Sequence, residues 1–364
     1  MNTHTQKLKA LGQSLWLDNI SRPMLDDGTL ARYIAEYSVT GLTSNPTLFQ
    51  HAIDKGNSYD VQITELARAG RNRDDLFFEL ALQDLRRAAD LFRPAHDASG
   101  GEDGWVSLEV SPLIADDAAK TISAVARLHD AAGRPNIFIK IPGTTAGLEA
   151  IETSIFEGRP VNVTLLFSRE QYLAAAQAYL RGIERRIEAR RDPAVRSVAS
   201  LFVSRWDVAV QDKVARPWRN RLGIAIAQRT YKAYRELLDS ARWKALEKAG
   251  AWPQRLLWAS TGTKDPEAPD TLYIEALAAP DTINTIPDGT LLAFAEHGSV
   301  GAPMVVGDDD AERLIAEFAR QGIDDAALAR RLQDEGAEKF SESWHQLMAR
   351  IDEKTAQRTK LKGK

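Results

Sequence analysis

Eight short apolar runs, most of them rich in β-branched residues, recur along the chain and alternate with segments of helical periodicity. The runs are SLWLD (14–18), VTGLTS (39–44), WVSLEV (105–110), NIFIKI (136–141), VNVTLLF (161–167), SVASLFVS (197–204), RLLWAS (255–260) and DTINTI (281–286). Repeated strand–helix alternation indicates a parallel sheet, and eight units suggest closure into a (β/α)8 barrel. An open doubly wound sheet is the alternative, but no G-x-G-x-x-G motif follows the first run.

The segments between these runs place apolar residues at helical spacing. Apolar positions recur at i, i+3, i+4 and i+7 in the stretches 26–37 and 76–92, which predicts amphipathic helices. Ser168, followed three residues later by Gln171, predicts a capping-box start for the helix after the fifth run. Helical periodicity continues beyond the eighth run, in ERLIAEFARQ and EKFSESWHQLMARI.

The chain has neither a Gly/Ser-rich or Pro-rich linker nor an internal repeat that would divide its 364 residues. We therefore predict an α/β fold, a single (β/α)8 TIM barrel with additional C-terminal helices, in one domain over residues 1–364. Within that domain we predict appended C-terminal helices over 308–356 and a frayed basic tail over 357–364.

The composition narrows the possible chemistry and compartment. The chain has no cysteine, which excludes disulfides, thiolate metal sites and cysteine nucleophiles and fits a reducing compartment. The N-terminus lacks the pattern of a signal peptide, and the apolar runs are far shorter than the roughly 20 residues of a membrane span. We therefore predict a cytoplasmic protein with no membrane association.

One local basic segment, RRIEARRDPAVR at 185–196, is a candidate nucleic-acid surface. The net charge of the chain is −4, with both signs spread along it, so there is no global basic field. The segment has no interleaved aromatic residues on which bases could stack. We interpret it as a solvated helix end and loop, and we predict no nucleic-acid partner.

Polar residues occur in nearly all of the predicted strands or directly after them. In a barrel, the C-terminal ends of the strands face the active site. The polar residues are Asp18, Thr43, Ser44, Asn45, Glu109, Lys140, Asn162, Thr164, Ser200 and Ser260. Some also have ordinary structural explanations: Asp18 as a helix N-cap, Asn45 as a turn former before Pro46, and Thr164 as a common strand residue.

Glu109 and Lys140 are the least expected of these residues, because an ionised group in a strand buried on both faces is unfavourable by several kcal/mol unless it is paired. A structural salt bridge between neighbouring strands is one explanation. The other is catalytic: burial disfavours the ammonium form of a lysine, and a neutral amine attacks carbonyl groups to form a Schiff base. The carboxylates of Asp18 and Glu109 could then supply the proton transfers that this chemistry requires.

Other common catalytic arrangements are missing from the sequence. The six histidines show no metal-ligand spacing, H-E-x-x-H does not occur, and no serine sits in G-x-S-x-G. GTTAGLEA at 143–150 lacks the G-K-[ST] of a phosphate-binding loop. We therefore predict no metal site and a mechanism based on the lysine.

Four blocks of the sequence resemble signatures of the transaldolase family, in the family's order. They are GLTSNPTLF (41–49), IFIKIPGTTAGLEAI (137–151), VNVTLLFSREQY (161–172) and SLFVSRWD (200–207). The chain length and LWASTGTKDP (257–266) resemble the longer bacterial branch, type 2, of this class I family.

The resemblance implies a transferase of the non-oxidative pentose phosphate pathway. Such an enzyme moves a dihydroxyacetone unit reversibly from sedoheptulose 7-phosphate to glyceraldehyde 3-phosphate, giving erythrose 4-phosphate and fructose 6-phosphate, without a cofactor. Sugar phosphates are the implied partners, and a monomer or homodimer is expected. The alternatives are a fructose 6-phosphate aldolase or another lysine-dependent aldolase on the same fold, and a non-catalytic barrel that binds sugar phosphates.

The resemblance also implies roles for individual residues. Lys140 corresponds to the Schiff-base nucleophile, Asp18 to the acid/base for C–C cleavage, and Glu109 to a group acting with a water held by Thr164. The implied substrate-binding residues are Asn45, Asn162 and Ser200 for the dihydroxyacetone hydroxyls and Arg205 for the phosphate. The family's shorter branch has S-F-R after the seventh strand, where this chain has STGTK. Lys264 therefore either replaces the missing arginine or is an ordinary loop lysine.

Overall fold

The computed structural model describes residues 2–361, with side chains described as far as residue 356. All eight predicted runs form strands, namely β1 (Ser14–Leu17), β2 (Val39–Thr43), β3 (Val106–Glu109), β4 (Ile137–Pro142), β5 (Val161–Leu166), β6 (Ser197–Phe202), β7 (Gln254–Ala259) and β8 (Thr282–Ile286). Each strand pairs in parallel with the next, and β8 pairs with β1, so the barrel is closed. The predicted (β/α)8 barrel with C-terminal helices is confirmed.

Helices surround the barrel and extend beyond it. They are α1 (Thr3–Leu11), α2 (Arg22–Asp26), α3 (Thr29–Tyr37), α4 (Pro46–Asp54), α5 (Asp60–Arg68), α6 (Arg73–Ala98), α7 (Ala118–Ala132), α8 (Thr145–Phe156), α9 (Arg169–Glu188), α10 (Ser204–Val210), α11 (Leu222–Asp239), α12 (Ala241–Lys248), α13 (Leu272–Ala276), α14 (Asp288–His297), α15 (Asp309–Arg320) and α16 (Asp325–Leu361). Among the described residues, no helix is long and apolar enough to cross a membrane.

The helix boundaries differ from the sequence prediction in informative places. The helix predicted over 26–37 begins three residues later, as α3, because its N-cap Gly28 has a φ of 78°, a left-handed conformation that separates it from α2. The capping box of α9 is formed as predicted by Ser168 and Gln171. The single-domain assignment remains a prediction. The predicted frayed tail, 357–364, lies outside the residues whose side chains are described.

Side chains on each strand alternate between the barrel interior and the surrounding helices. On β4, Ile139 and Ile141 belong to one apolar cluster, whereas Phe138 belongs to a second cluster that includes Trp16 and Trp105. Because successive strand residues point to opposite faces, Lys140 shares the interior face with Phe138. Trp105 stacks on Phe138 with ring centroids 4.0 Å apart, so aromatic rings fill the barrel beneath the lysine.

Helix α16 lies partly over the C-terminal ends of the strands. Near its start, Gln333 Nε2 donates hydrogen bonds to the carbonyl oxygens of Gly143, at 3.1 Å, and Leu165, at 2.8 Å. Gly143 directly follows β4 and Leu165 belongs to β5. Farther along α16, Trp344 is 1% exposed and packs edge-to-face against Phe77 of α6 with centroids 5.1 Å apart. The helix therefore joins the mouth of the barrel to its outer helical layer.

The arginines of the basic segment 185–196 are largely engaged within the chain. Arg185 forms an ion pair with Glu152 at 3.1 Å, and Arg186 donates to the carbonyl oxygen of Phe156 at 2.7 Å. Arg196 lies over the Trp252 ring, with its guanidinium carbon 3.4 Å from the centroid. These contacts favour the structural interpretation of the segment.

Candidate active site

Lys140 and Glu109 are neighbours in register on β4 and β3. Lys140 Nζ lies 3.3 Å from Glu109 Oε2 and donates a hydrogen bond to the carbonyl oxygen of Ser44 at 3.0 Å. Both side chains are buried, with 5% and 4% of their residues' surfaces exposed. Burial raises the pKa of Glu109, and the charge of Lys140 opposes that effect. The Lys140–Glu109 salt bridge, one of the two explanations that the sequence left open, is therefore present in the structure.

Asp18 is the first residue after β1 and supplies the second carboxylate. Its Oδ1 accepts a hydrogen bond from Thr43 Oγ1 at 2.8 Å, and the Thr43 hydroxyl also contacts Thr285 Oγ1 at 2.7 Å. Burial raises the pKa of Asp18, whereas the charge of Lys140 and the Thr43 hydrogen bond lower it. Asp18 is not the N-cap of the following helix, because Ser21 fills that position.

Asn162 on β5 is held at both ends of its amide. Its Nδ2 donates to Ser107 Oγ at 3.0 Å, and its Oδ1 accepts from Ser200 Oγ at 2.7 Å. In contrast, within the described part of the chain Thr164 Oγ1 has no hydrogen-bond partner and the Glu109 carboxylate has only the ion pair of Oε2 with Lys140, although all three oxygens are buried. Buried polar atoms are normally hydrogen-bonded, so Glu109 and Thr164 retain capacity to bind a small polar molecule between strands.

A cavity of about 120 Å³ opens at the C-terminal ends of the strands. Seven of the nine sequence-predicted site residues line it, namely Asp18, Asn45, Lys140, Thr164, Ser200, Arg205 and Lys264. The other two, Glu109 and Asn162, are not among the lining residues and lie buried in the barrel wall. Asn45 has a structural role as well: its Oδ1 caps α4 by accepting from the Leu48 N–H at 3.0 Å, which leaves its Nδ2 group as the free donor.

Arg205 lines the cavity from the second position of α10. Its guanidinium carbon lies 5.1 Å from the Phe202 ring centroid and 5.9 Å from that of Phe340. Burial lowers the pKa of Arg205, and the carboxylates of Glu109 and Asp18 oppose this, so the side chain stays a cation. In the described part of the chain its guanidinium forms no hydrogen bond or ion pair, which leaves it available for an anion.

The structure adds three cavity-lining residues that the sequence analysis lacked, namely Phe202, Thr285 and Phe340. Thr43 and Ser260, noted in the sequence as polar strand residues without an assigned role, line the same cavity. Thr285 could have been found from period-two alternation in DTINTI, which puts it on the same face as Ile283. Phe340 carries no such signal, because it lies on α16, far from the strands in sequence.

Fold and site together define a (β/α)8 barrel that holds a buried lysine with two carboxylates at the C-terminal ends of its strands, the arrangement of a lysine-dependent aldolase-type enzyme. Within the described ranges, no group of three or more His, Cys, Asp or Glu side chains is placed so that it could hold a metal ion. The family model for transaldolase/fructose-6-phosphate aldolase matches residues 15–351. The chain belongs to this family, which confirms the resemblance seen in the sequence.

Curated relatives match along almost the whole chain. A transaldolase from Thermobifida fusca is 43% identical over 99% of this chain and 100% of its own length. One from Frankia alni is 44% identical, covering 96% of this chain and 97% of the relative. A third, from Neisseria gonorrhoeae, is 42% identical over 94% and 97% respectively.

Proposed function

We propose that this chain is a transaldolase, a transferase that moves a dihydroxyacetone unit between sugar phosphates through a lysine Schiff base. The usual reaction is reversible transfer from sedoheptulose 7-phosphate to glyceraldehyde 3-phosphate, giving erythrose 4-phosphate and fructose 6-phosphate in the non-oxidative pentose phosphate pathway. The observation that carries the proposal is the position of Lys140. Its buried Nζ lies 3.3 Å from Glu109 Oε2, and the side chain lines a cavity that Asp18 and Arg205 also line.

The first half of the reaction forms a covalent intermediate. The Lys140 amine attacks the ketose carbonyl carbon C2, and the carbinolamine loses its hydroxyl as water to give an imine. Glu109, acting with a water held by Thr164, supplies and removes the protons of this dehydration. Within the described residues, the buried Glu109 carboxylate is paired only with Lys140 and Thr164 Oγ1 has no hydrogen-bond partner, which supports this assignment.

Cleavage of the C3–C4 bond then needs a base at the C4 hydroxyl. Asp18 accepts that proton as the bond breaks, the aldose phosphate leaves, and the electron pair of the broken bond remains on the lysine-bound three-carbon unit as an enamine. An acceptor aldose then reacts with the enamine by the same steps in reverse. The imine is hydrolysed at the end, which regenerates the amine.

Substrate binding is assigned to the polar residues around the lysine. Asn45 donates through its free amide nitrogen to a hydroxyl of the dihydroxyacetone unit. Asn162 and Ser200, tied to each other at 2.7 Å, complete this polar wall. Arg205 binds the phosphate as a forked cation, and Lys264 assists it as a point charge.

The partners that we propose are sugar phosphates, with no nucleic acid and no membrane. Arginines of the segment 185–196 contact groups of the same chain, which supports the proposal that no nucleic acid binds there. We propose a monomer or homodimer in the cytoplasm, working without a metal or organic cofactor.

A fructose 6-phosphate aldolase would release dihydroxyacetone instead of passing it to an acceptor. A coupled assay of glyceraldehyde 3-phosphate release from fructose 6-phosphate separates the two activities. We expect continued release of glyceraldehyde 3-phosphate to depend on added erythrose 4-phosphate, because the enzyme-bound enamine turns over only when it reacts with an acceptor. A rate that is the same with and without acceptor would identify an aldolase.

Thr43→Val should shift the pH dependence of turnover. Asp18 acts as a base in its ionised form, and the Thr43 hydrogen bond lowers its pKa. Loss of that bond raises the pKa further, so the acid limb of kcat/KM should move to higher pH. Thr285→Val is the matched control, since it removes the other hydroxyl that contacts Thr43 but leaves the Thr43–Asp18 bond possible. Identical shifts in the two variants would contradict the assignment to Asp18.

A further inference from the structure

The cavity around Lys140 continues outward into a wider cavity of about 670 Å³. Asp18, Asn45, Ser260, Arg205, Lys264 and Phe340 line both cavities. The outer cavity adds residues from α4, α10 and α16, including Lys339. A substrate attached to Lys140 by its ketose end therefore extends toward a wall that the C-terminal helix provides.

Helix α16 packs closely against Arg205, the residue proposed above to bind the phosphate. A Cβ atom built on Gly336 would lie only 3.2 Å from Arg205 Nη1 and 3.0 Å from Leu165 Cδ2. Glycine in a helix interior is less favourable than alanine by about 1 kcal/mol, so its presence here fits the close approach. Gln333, three residues earlier, fixes this part of the helix to Gly143, directly after β4, and to Leu165 on β5.

Lys339 follows on the same side of the helix. Residues at i, i+3 and i+4 share one helical face, which groups Gly336 with Lys339 and Phe340. Phe340 is 4% exposed and stands 5.9 Å from the Arg205 guanidinium carbon. Lys339 is exposed and lines the outer cavity, one turn of helix away from the contact with Arg205.

The charges around the outer cavity are unbalanced. Arg205, Lys264 and Lys339 line it, and within the described ranges none of the three forms an ion pair or donates a side-chain hydrogen bond. The two lining carboxylates lie beside other cations: Glu335 is 3.4 Å from Arg331, and burial raises the pKa of Asp18 while the charge of Lys140 lowers it. Three unpaired cations around one cavity create a positive field that favours a bound anion.

We propose that Lys339, on the C-terminal helix, is a further phosphate-binding residue that works with Arg205 and raises affinity for phosphorylated substrates. The inference rests on the proposed function, because it takes the anion to be the phosphate of a sugar bound at Lys140. It adds a third cation to Arg205 and Lys264 in a chain whose loop after β7 lacks the expected arginine.

The test compares Lys339→Gln with Lys339→Arg and with Arg330→Gln, an exposed cation of the same helix outside the cavity lining. For Lys339→Gln we expect the KM for fructose 6-phosphate to rise about fivefold with little change in kcat, the order expected of one exposed ion pair. Lys339→Arg should restore the KM, and Arg330→Gln should behave as the wild type. Trapping of dihydroxyacetone by borohydride, which involves no phosphate, should be equal in all four proteins.

Calorimetry with inorganic phosphate gives a readout that needs no imine. A dissociation constant weakened about fivefold in Lys339→Gln but unchanged in Arg330→Gln would support the proposal. Equal phosphate affinity in Lys339→Gln and wild type would overturn it, as would a KM increase matched by weaker trapping of dihydroxyacetone. Failure of the wild type to form any lysine adduct would overturn the proposed function instead, and the phosphate measurement would still decide the role of Lys339.

Discussion

Lys140→Met should abolish transfer and imine formation together. Removal of a covalent nucleophile lowers turnover by about 10⁴-fold or more, because the remaining groups cannot replace the two-step path. In the wild type, borohydride added with fructose 6-phosphate should give a stable adduct in the intact mass. In Lys140→Met the adduct should be absent, and one that persists would place the imine on another residue.

The control for this variant concerns folding. Removing one partner of a buried ion pair destabilises a protein by about 3–5 kcal/mol, and Glu109 would lose its charge partner in Lys140→Met. The double variant Lys140→Met/Glu109→Gln removes both charges and should recover much of the stability without any activity. Glu109→Gln alone should remain folded and turn over slowly; its failure to fold would indicate that the Lys140–Glu109 salt bridge is mainly structural.

Asp18→Asn should separate imine formation from carbon–carbon cleavage. The amide is close in size to the carboxylate and can still accept the Thr43 hydrogen bond, but it cannot take the C4 hydroxyl proton. We expect turnover to fall by about 10²–10⁴-fold, the usual range for general base catalysis. Because Lys140 remains, fructose 6-phosphate should still react with it.

The trapped species identifies the blocked step. In the wild type, cleavage leaves a three-carbon unit on Lys140, whereas Asp18→Asn should accumulate the uncleaved six-carbon phosphate adduct. Mass spectrometry after borohydride reduction distinguishes the two. Asp288→Asn is a suitable control, since Asp288 influences Asp18 electrostatically but does not line the cavity. A three-carbon adduct formed at wild-type rate in Asp18→Asn would assign the base elsewhere.

The barrel and most of the catalytic centre were predictable because strand periodicity is local information. Eight runs with helical segments between them specified the fold, and a charged residue within NIFIKI could only be buried. Alternation along β4 puts Lys140 on the interior face, and the closed barrel brings Glu109 beside it in register. These inferences depend on sequence neighbours and on the regular geometry of a barrel.

The remaining features depend on packing between distant parts of the chain. Asn162 looked like a cavity residue from its strand position, but hydrogen bonds to Ser107 and Ser200 hold it in the wall. The outer wall comes from α16, whose course over the strand ends depends on contacts such as those of Gln333 with Gly143 and Leu165. Helical periodicity predicts that such a helix exists but not where it lies.

The position of α16 at the end of the chain has a consequence for the order of biosynthesis. All eight strands, which end at Ile286, leave the ribosome before any residue of Asp325–Leu361. A nascent chain can therefore close its barrel while the wall that meets Arg205 is still being translated. Full assembly of the outer cavity becomes one of the last events of synthesis, so a product cut short before α16 retains Lys140 but lacks the helix that lines this cavity.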